Sequence, residues 1–268
     1  ASGDYQEARR YLEQALSVEP DFFPATMALA RIEELEGNID KAIERYRSLV
    51  NADVDSVVPV LALARLEGRR GDTRQVVDLL QAAVEEFPDE SRPQLLLAEH
   101  YLREKQYQKA ALLLEEVAQS EPKQPIVLYL QAKLLIATEQ YQRAVSTLTV
   151  LLEIDPESTV AQVLQAEAHL HMGGVQNARE ILQKVVRQHP DDIPALALIT
   201  KVEILSGNLD QAMKHSQRIQ KEYPELYLGY LLQGDVWVAK KDDVEAGRHY
   251  EQAWERMPRS ELAIRRAE

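Results

Sequence analysis

Five arginine side chains near the start of the chain carry the clearest candidate chemistry. Their spacing is regular, since 34 residues separate Arg31 from Arg65, 34 separate Arg69 from Arg103, and Arg92 lies between. A guanidinium group presents a planar fork of donors that fits a carboxylate. The series therefore predicts an anion-recognition site, provided that other residues bring the five side chains to one surface.

Residues for covalent or metal chemistry are weaker candidates. The chain has no cysteine, so it has no thiol nucleophile, thiolate metal site or disulfide, and its redox compartment stays open. His169 and His171 stand about 200° apart around a helix, so they cannot share one metal ion. No Gly-rich phosphate loop or Ser nucleophile motif occurs. We therefore predict no enzymatic activity, no metal and no cofactor.

Composition and charge limit the classes of partner that the chain can be expected to bind. With 45% hydrophobic and 28% charged residues, the chain is apolar enough to fold and too often interrupted by charge to insert directly into a membrane. A net charge of −13 repels phosphate groups, so nucleic acid is not an expected partner. Adjacent carboxylates predict a solvated outer face rather than an acid/base pair. These are Glu33-Glu34, Glu85-Glu86 and Glu115-Glu116.

A 34-residue period organises the chain. One anchor position, nearly always alanine, recurs without insertion or deletion at Ala8, Ala42, Val76, Ala110, Ala144, Ala178, Ala212 and Ala246. Twelve residues after each anchor stand Pro20, Val54, Pro88, Pro122, Pro156, Pro190, Pro224 and Pro258. Proline ends a helix, and the apolar residues between prolines recur at spacings of three and four. Each period therefore predicts two amphipathic helices.

The turn between the two helices opens on a residue suited to the left-handed conformation in five units. These residues are Gly3, Gly37, Gly71, Gly173 and Gly207. In the other three units the same position holds Lys105, Glu139 and Lys241. Left-handed backbone costs more for a residue with a Cβ atom, so these three turns are expected either to differ in geometry or to be less stable.

This pattern resembles the tetratricopeptide repeat, which has a small residue in each helix, a Gly turn and a Pro after the second helix at 34-residue period. The resemblance implies an all-α solenoid, a right-handed superhelix of antiparallel helix pairs. Residues 1–268 are expected to form a single array cut from a longer protein. Its parts are an orphan second helix at 1–22, complete repeats at 23–56, 57–90, 91–124, 125–158, 159–192, 193–226 and 227–260, and the start of another repeat at 261–268. Uncovered terminal faces predict end-to-end self-association.

The resemblance also implies where a ligand binds, because in this family positions 2, 5, 9, 12 and 13 of each repeat face a concave groove. Arg31 and Arg65 occupy position 9, Arg69 and Arg103 position 13, and Arg92 position 2. The five arginines are therefore expected to line the groove and bind an acidic peptide or protein, or an anionic polysaccharide. Intramolecular pairing, for instance with Glu99, is the alternative.

Apolar residues at position 5 provide a second candidate surface. They are Met27, Leu61, Leu95, Tyr129, Val163 and Leu231. Two explanations stay open: these side chains bury one another in a tightly wound superhelix, or they await an apolar peptide or helix.

Two further segments have a narrower resemblance. Phe22-Phe23-Pro24-Ala25 and Gly229-Tyr230-Leu231-Leu232-Gln233-Gly234-Asp235 look like parts of the long tetratricopeptide lipoproteins of the bacterial PEP-CTERM/exosortase system. That resemblance implies a non-enzymatic scaffold in exopolysaccharide assembly, at the bacterial cell envelope, in the periplasm as part of a lipoprotein-anchored parent. The alternative is a regulatory or substrate-recruiting module of an enzyme whose catalytic domain lies elsewhere.

Overall fold

The computed structural model describes residues 2–52 and 55–257, with side chains from Tyr5 onward. Within these residues the chain forms fifteen α-helices and no β-strand. It divides into two compact units, unit 1 (Ala1–Glu121) and unit 2 (Pro122–Glu268). The predicted partial repeat at 261–268 lies outside the described residues, as do Val54 and Pro258.

Unit 1 contains seven of the described helices. They are α1 (Ser2–Val18), α2 (Phe23–Leu35), α3 (Ile39–Asn51), α4 (Val57–Arg70), α5 (Thr73–Glu86), α6 (Ser91–Arg103) and α7 (Tyr107–Ser120). Helix α1 packs on α2, and the pairs α2/α3, α4/α5 and α6/α7 are the helical hairpins of successive repeats.

Unit 2 contains the other eight described helices. They are α8 (Pro125–Ala137), α9 (Tyr141–Ile154), α10 (Thr159–His171), α11 (Val175–Gln188), α12 (Ile193–Leu205), α13 (Leu209–Glu222), α14 (Tyr227–Ala239) and α15 (Asp243–Arg256). Consecutive pairs from α8/α9 to α14/α15 form four hairpins. The predicted all-α fold of paired helices is confirmed.

The anchors lie where the helices of a hairpin cross. Six are buried, namely Ala42, Ala110, Ala144, Ala178, Ala212 and Ala246, whereas Ala8 and Val76 are half-buried. Large leucines such as Leu148 and Leu182 fill the space around them. A side chain of one carbon lets two helix axes approach closely, and this close approach fixes the geometry of each hairpin.

The hairpin turns share one geometry, whatever residue opens them. The described glycines at this position have φ between 75° and 85°, and Lys105, Glu139 and Lys241 have φ of 58°, 60° and 63°. After Glu139, the Gln140 amide donates to the Leu135 carbonyl at 2.7 Å, the same six-residue bond that closes the glycine turns. The three exceptions therefore keep the geometry and bear its conformational cost. Gly3 does not open a turn, because α1 begins at Ser2.

Ion pairs between an arginine and a buried glutamate connect neighbouring repeats in both units. Three glutamates at position 11 of their repeats are almost fully buried, and each meets an arginine of the preceding second helix. The pairs are Arg9–Glu33 at 2.5 Å, Arg47–Glu67 at 2.6 Å and Arg179–Glu203 at 3.3 Å. The expectation that Glu33 lies on a solvated face is therefore wrong, while Glu85, Glu86, Glu115 and Glu116 are exposed.

No helix of the described residues has the length and apolar character needed to cross a membrane.

Candidate anion-binding cavity

A cavity of about 760 Å³ opens between the first helices of unit 1. Its walls are α2, α4 and α6, and its floor includes Tyr46 of α3 and Val76 and Leu80 of α5. First helices of successive repeats run side by side, so residues 34 apart stand at the same level on adjacent helices.

One residue of the cavity lining, Gly68, contributes no side chain. Gly68 holds position 12 of its repeat, where later repeats place a large aliphatic residue. Those residues are Leu102, Ile136, Leu170, Ile204 and Val238. A Cβ atom at Gly68 would meet the Val76 Cγ2 atom at 3.5 Å, an ordinary van der Waals contact. A larger residue at position 68 could therefore place its first side-chain carbon here without a steric clash.

All five arginines of the predicted series line this cavity. Two of them already meet a carboxylate. The Arg65 guanidinium donates to both carboxylate oxygens of Glu34, at 2.5 and 2.6 Å, and Arg69 Nη1 lies 3.7 Å from Glu34 Oε1. The hydrogen bond from Arg65 lowers the pKa of Glu34. The intramolecular partner is thus Glu34 of α2 rather than Glu99.

The other three arginines are available. Arg31, Arg92 and Arg103 are exposed, and no carboxylate among the described residues lies within ion-pair distance of them. Arg92 and Arg103 stand eleven residues apart on α6, which is about three turns, so both lie on the same face at opposite ends of the helix. The guanidinium groups of Arg31, Arg92 and Arg103 can donate hydrogen bonds to the carboxylates of a ligand without first breaking an internal ion pair.

The charge balance of the cavity is positive. Against five arginines it contains three glutamates, Glu34, Glu99 and Glu104. His100 also lines the cavity, but it is only 7% exposed, and burial lowers the pKa of its imidazole. It is therefore mainly neutral near pH 7. The site is cationic within a chain that carries a net charge of −13.

Two exposed aliphatic side chains of this wall were not among the predicted residues. Val58 is 45% exposed and Leu96 is 41% exposed, and both line the cavity. Val58 holds position 2, which the repeat pattern already marked as inward-facing. Leu96 holds position 6, which shares a helix face with positions 2, 9 and 13, and a helical-wheel count would have found it.

The predicted apolar residues of unit 1 are mainly packing residues. Leu95 is 6% exposed and lies outside the cavity lining, which favours mutual burial over ligand contact at this residue. Leu61 is 7% exposed at the cavity wall. Met27 is half-buried there and packs on the core around Ala30. For these residues mutual burial is the better of the two explanations.

The predicted apolar residues of unit 2 are also held by helix packing. Tyr129, Val163 and Leu231 are half-buried, and each packs against a core cluster of its own repeat pair. Lys133 lies over the Tyr129 ring with its Nζ atom 5.2 Å from the ring centroid. More exposed aliphatic residues of these first helices are Ile126, Val160, Leu205 and Val238.

Metal-binding geometry is not found in the part of the chain that the structure describes, which contains no group of three or more His, Asp or Glu side chains arranged around one ion. His171 stacks on Tyr141 with centroids 4.7 Å apart, so its ring already has a packing role.

The fold and its repeat define a class, an all-α array of helical hairpins with a small residue at each crossing and a left-handed turn between the helices. The sequence profile of the family described as "Tetratricopeptide repeat" matches residues 1–66, 69–134 and 135–202. The chain belongs to the tetratricopeptide repeat family. Proteins of this family are generally interaction scaffolds that bind peptide or protein partners, and they are typically non-catalytic.

Solved structures agree on the fold. A tetratricopeptide repeat protein from Parabacteroides merdae has a TM-score of 0.78 at 15% identity, over 90% of this chain and 96% of its own. The thermophilic repeat protein TTC0263 of Thermus thermophilus has a TM-score of 0.61 at 19% identity, over 66% and 97%. The Cut9–Hcn1 hetero-tetramer has a TM-score of 0.72 at 13% identity, over 88% and 46%. No curated protein matches the chain significantly.

Proposed function

We propose that the cavity of unit 1 binds an extended acidic segment of a protein partner. The observation that carries this proposal is the set of three exposed arginines, Arg31, Arg92 and Arg103, which line one cavity and have no carboxylate partner among the described residues. Uncompensated guanidinium groups are more costly to hold together than to pair with an anion, and arginine favours carboxylates through bidentate hydrogen bonds.

A peptide fits the lining better than an anionic polysaccharide does. Val58 and Leu96 present exposed aliphatic surface inside the cavity, and burying such surface stabilises a complex by about 25 cal/mol per Å². A polyuronate carries carboxylates and hydroxyl groups but little aliphatic surface to cover these residues. A peptide with both acidic and apolar side chains can pair with the arginines and also cover the exposed aliphatic residues of the cavity.

Binding of a fluorescein-labelled acidic peptide, followed by anisotropy, tests this proposal. Replacing Arg31, Arg92 and Arg103 together by Ala is expected to weaken binding about 30-fold, because three exposed charge pairs of somewhat under about 1 kcal/mol each contribute about 2 kcal/mol together. The matched control replaces Arg74, Arg187 and Arg218, which are exposed and outside the cavity. It removes the same three charges and is expected to change binding less than threefold.

Two outcomes overturn the proposal. Equal weakening by the cavity triple and the control triple would show that only net charge matters. Tight binding of a polyuronate with no binding of any acidic peptide would assign the cavity to polysaccharide. Circular dichroism of both triples establishes that the helices are intact, since groove-facing cations are not needed to pack them.

We further propose that this protein is a non-enzymatic scaffold of the bacterial cell envelope, acting in exopolysaccharide assembly. The support is the resemblance of residues 22–25 and 229–235 to lipoproteins of the PEP-CTERM/exosortase system. Fractionation of the native cells, with an antibody against this chain for detection, is expected to place the protein in the envelope. Recovery in the cytosol alone, or unchanged exopolysaccharide after deletion of the gene, would contradict this role.

A further inference from the structure

We infer that the segment bound in unit 1 follows a spaced pattern, with two acidic side chains about five residues apart and an apolar side chain between them. This inference rests on the proposed function and specifies its ligand. It comes from the order of side chains along one exposed face of α6: Arg92, Leu96, Glu99 and Arg103.

The two ends of this face set the distance between the acidic residues. Arg92 and Arg103 are eleven residues apart, which is about 16 Å along a helix and about 20° around it. An extended peptide rises about 3.3 Å per residue, so about five residues span that distance. Arg69 holds the same repeat position on α4 as Arg103 on α6, and its guanidinium is exposed although it lies 3.7 Å from Glu34, so it adds positive charge at that end.

The middle of the face favours an apolar side chain and disfavours a third carboxylate. Leu96 is 41% exposed there, and Val58 of α4 adds a second exposed aliphatic side chain to the same cavity. Glu99 also lies between the arginines, half-buried and without a described ion-pair partner. Its negative charge repels an acidic residue placed between the two ends. A segment with the order acidic, apolar, acidic therefore places its acidic side chains beside Arg92 and Arg103 and its apolar side chain beside Leu96.

Polymers with evenly spaced or adjacent charges do not fit this order. A run of consecutive acidic residues places some carboxylates beside Glu99 and Leu96, where they lose solvation without gaining a partner. The cavity therefore selects by charge spacing as well as by total charge.

Two labelled eight-residue peptides of the same composition test this inference. One has two aspartates five residues apart with a leucine between them and serines elsewhere, and the other has the two aspartates adjacent. The spaced peptide is expected to bind the wild-type chain at least tenfold more tightly. Arg92→Ala is expected to abolish that preference, because it removes the cation at one end. Arg74→Ala, outside the cavity on α5, is expected to retain it.

A second pair of measurements isolates the apolar contact. Leu96→Ser is expected to weaken the spaced peptide severalfold and to leave unchanged the affinity for a spaced peptide whose leucine is replaced by serine. Equal affinities of the spaced and adjacent peptides for the wild-type chain would overturn the inference and leave the proposed function standing. If neither these peptides nor longer acidic ones bind, the proposed function fails and the inference fails with it.

Discussion

The two units use one scaffold and present contrasting surfaces. In unit 1, positions 2, 9 and 13 of the first helices hold five arginines around a cavity. In unit 2 the same positions include exposed Ile126, Val160 and Leu205, and the cations at position 9 are Lys133 and Lys201. Buried anchors, left-handed turns and Arg–Glu pairs occur in both units. The surface character of the first helices therefore changes at a few positions while the packing positions stay fixed, and under the proposed function these few positions determine the ligand.

The largest expected effect lies at packing positions that the units share. Ala42→Trp in unit 1 and Ala144→Trp in unit 2 insert an indole where two helices cross at a fully buried site. Overpacking there is expected to lower the free energy of unfolding by about 3 kcal/mol or more. Glu44→Trp and Gln142→Trp, which are exposed, serve as controls. Urea denaturation curves that coincide for anchor and control variants would contradict the repeat register.

A somewhat smaller loss is expected from a buried ion pair. Glu33→Gln removes the charged hydrogen bond with Arg9 and is expected to cost about 1–2 kcal/mol at pH 7, because a buried carboxylate is lost while Arg9 keeps its ion pair with Glu36 at 2.7 Å. Exposed Glu44→Gln should stay within about 0.5 kcal/mol. Urea denaturation of both variants at pH 7 measures the difference.

The same pair predicts a pH dependence. The hydrogen bond from Arg9 lowers the pKa of Glu33 below its ordinary value of 4.5. A folded-state pKa below the unfolded one stabilises the fold above the unfolded value, and this stabilisation is lost as the pH falls through the folded pKa. The gap between wild type and Glu33→Gln should therefore narrow toward about pH 3. A gap that is constant from pH 7 to pH 3 would show that the ionised pair is not its cause.

Replacing Gly68 by the kind of residue that the repeats of unit 2 hold at the same position is expected to reduce peptide binding moderately. Gly68→Leu restores the large aliphatic residue that later repeats hold at position 12 and should reduce acidic-peptide binding about tenfold, or about 1.4 kcal/mol. Gly68→Ala is the control, because its Cβ atom meets Val76 at an ordinary distance. It should raise the free energy of unfolding by about 0.5–1 kcal/mol through helix propensity. Undiminished peptide binding by a folded Gly68→Leu variant would place the ligand elsewhere.

The smallest expected effect is at the turns. Lys105→Gly in unit 1 and Glu139→Gly in unit 2 remove a Cβ atom from left-handed backbone, which should raise the free energy of unfolding by about 0.5 kcal/mol. Gly71→Ala and Gly173→Ala impose the same strain and should lower it by about 1 kcal/mol. Thermal or urea denaturation shows whether each variant is more or less stable than the wild type. Destabilisation by both Lys105→Gly and Glu139→Gly would contradict the turn geometry.

The sequence predicted what depends on local chemistry and period. Helix pairs, buried Ala144 and the turn at Gly207 all follow from side-chain size, backbone freedom and 34-residue spacing. It also predicted that Arg31 and Arg65 share a surface, because residues at equal repeat positions stand side by side.

Pairing across helices could not be predicted in this way. Glu34 meets Arg65, 31 residues away, whereas the sequence offers Glu99 as one example of an internal partner, because the choice depends on the offset between α2 and α4 rather than on either helix alone. Glu33 is buried beside Arg9, which reaches it from α1. The pair Glu33-Glu34 considered by itself predicts a solvated face, because a partner on another helix leaves no sign in the local sequence. The cavity lining includes Gly68, and a missing side chain leaves no positive signal in a hydrophobic pattern.

Photo-crosslinking of an acidic peptide that carries a benzophenone group, with the modified residues mapped by mass spectrometry, tests most directly whether the ligand binds in unit 1. Crosslinks are expected on α2, α4 and α6, and they should be lost with the triple Ala replacement of Arg31, Arg92 and Arg103 and weakened by salt. Crosslinks concentrated on α8, α10, α12 or α14 of unit 2, or unaffected by that replacement, would contradict binding in unit 1.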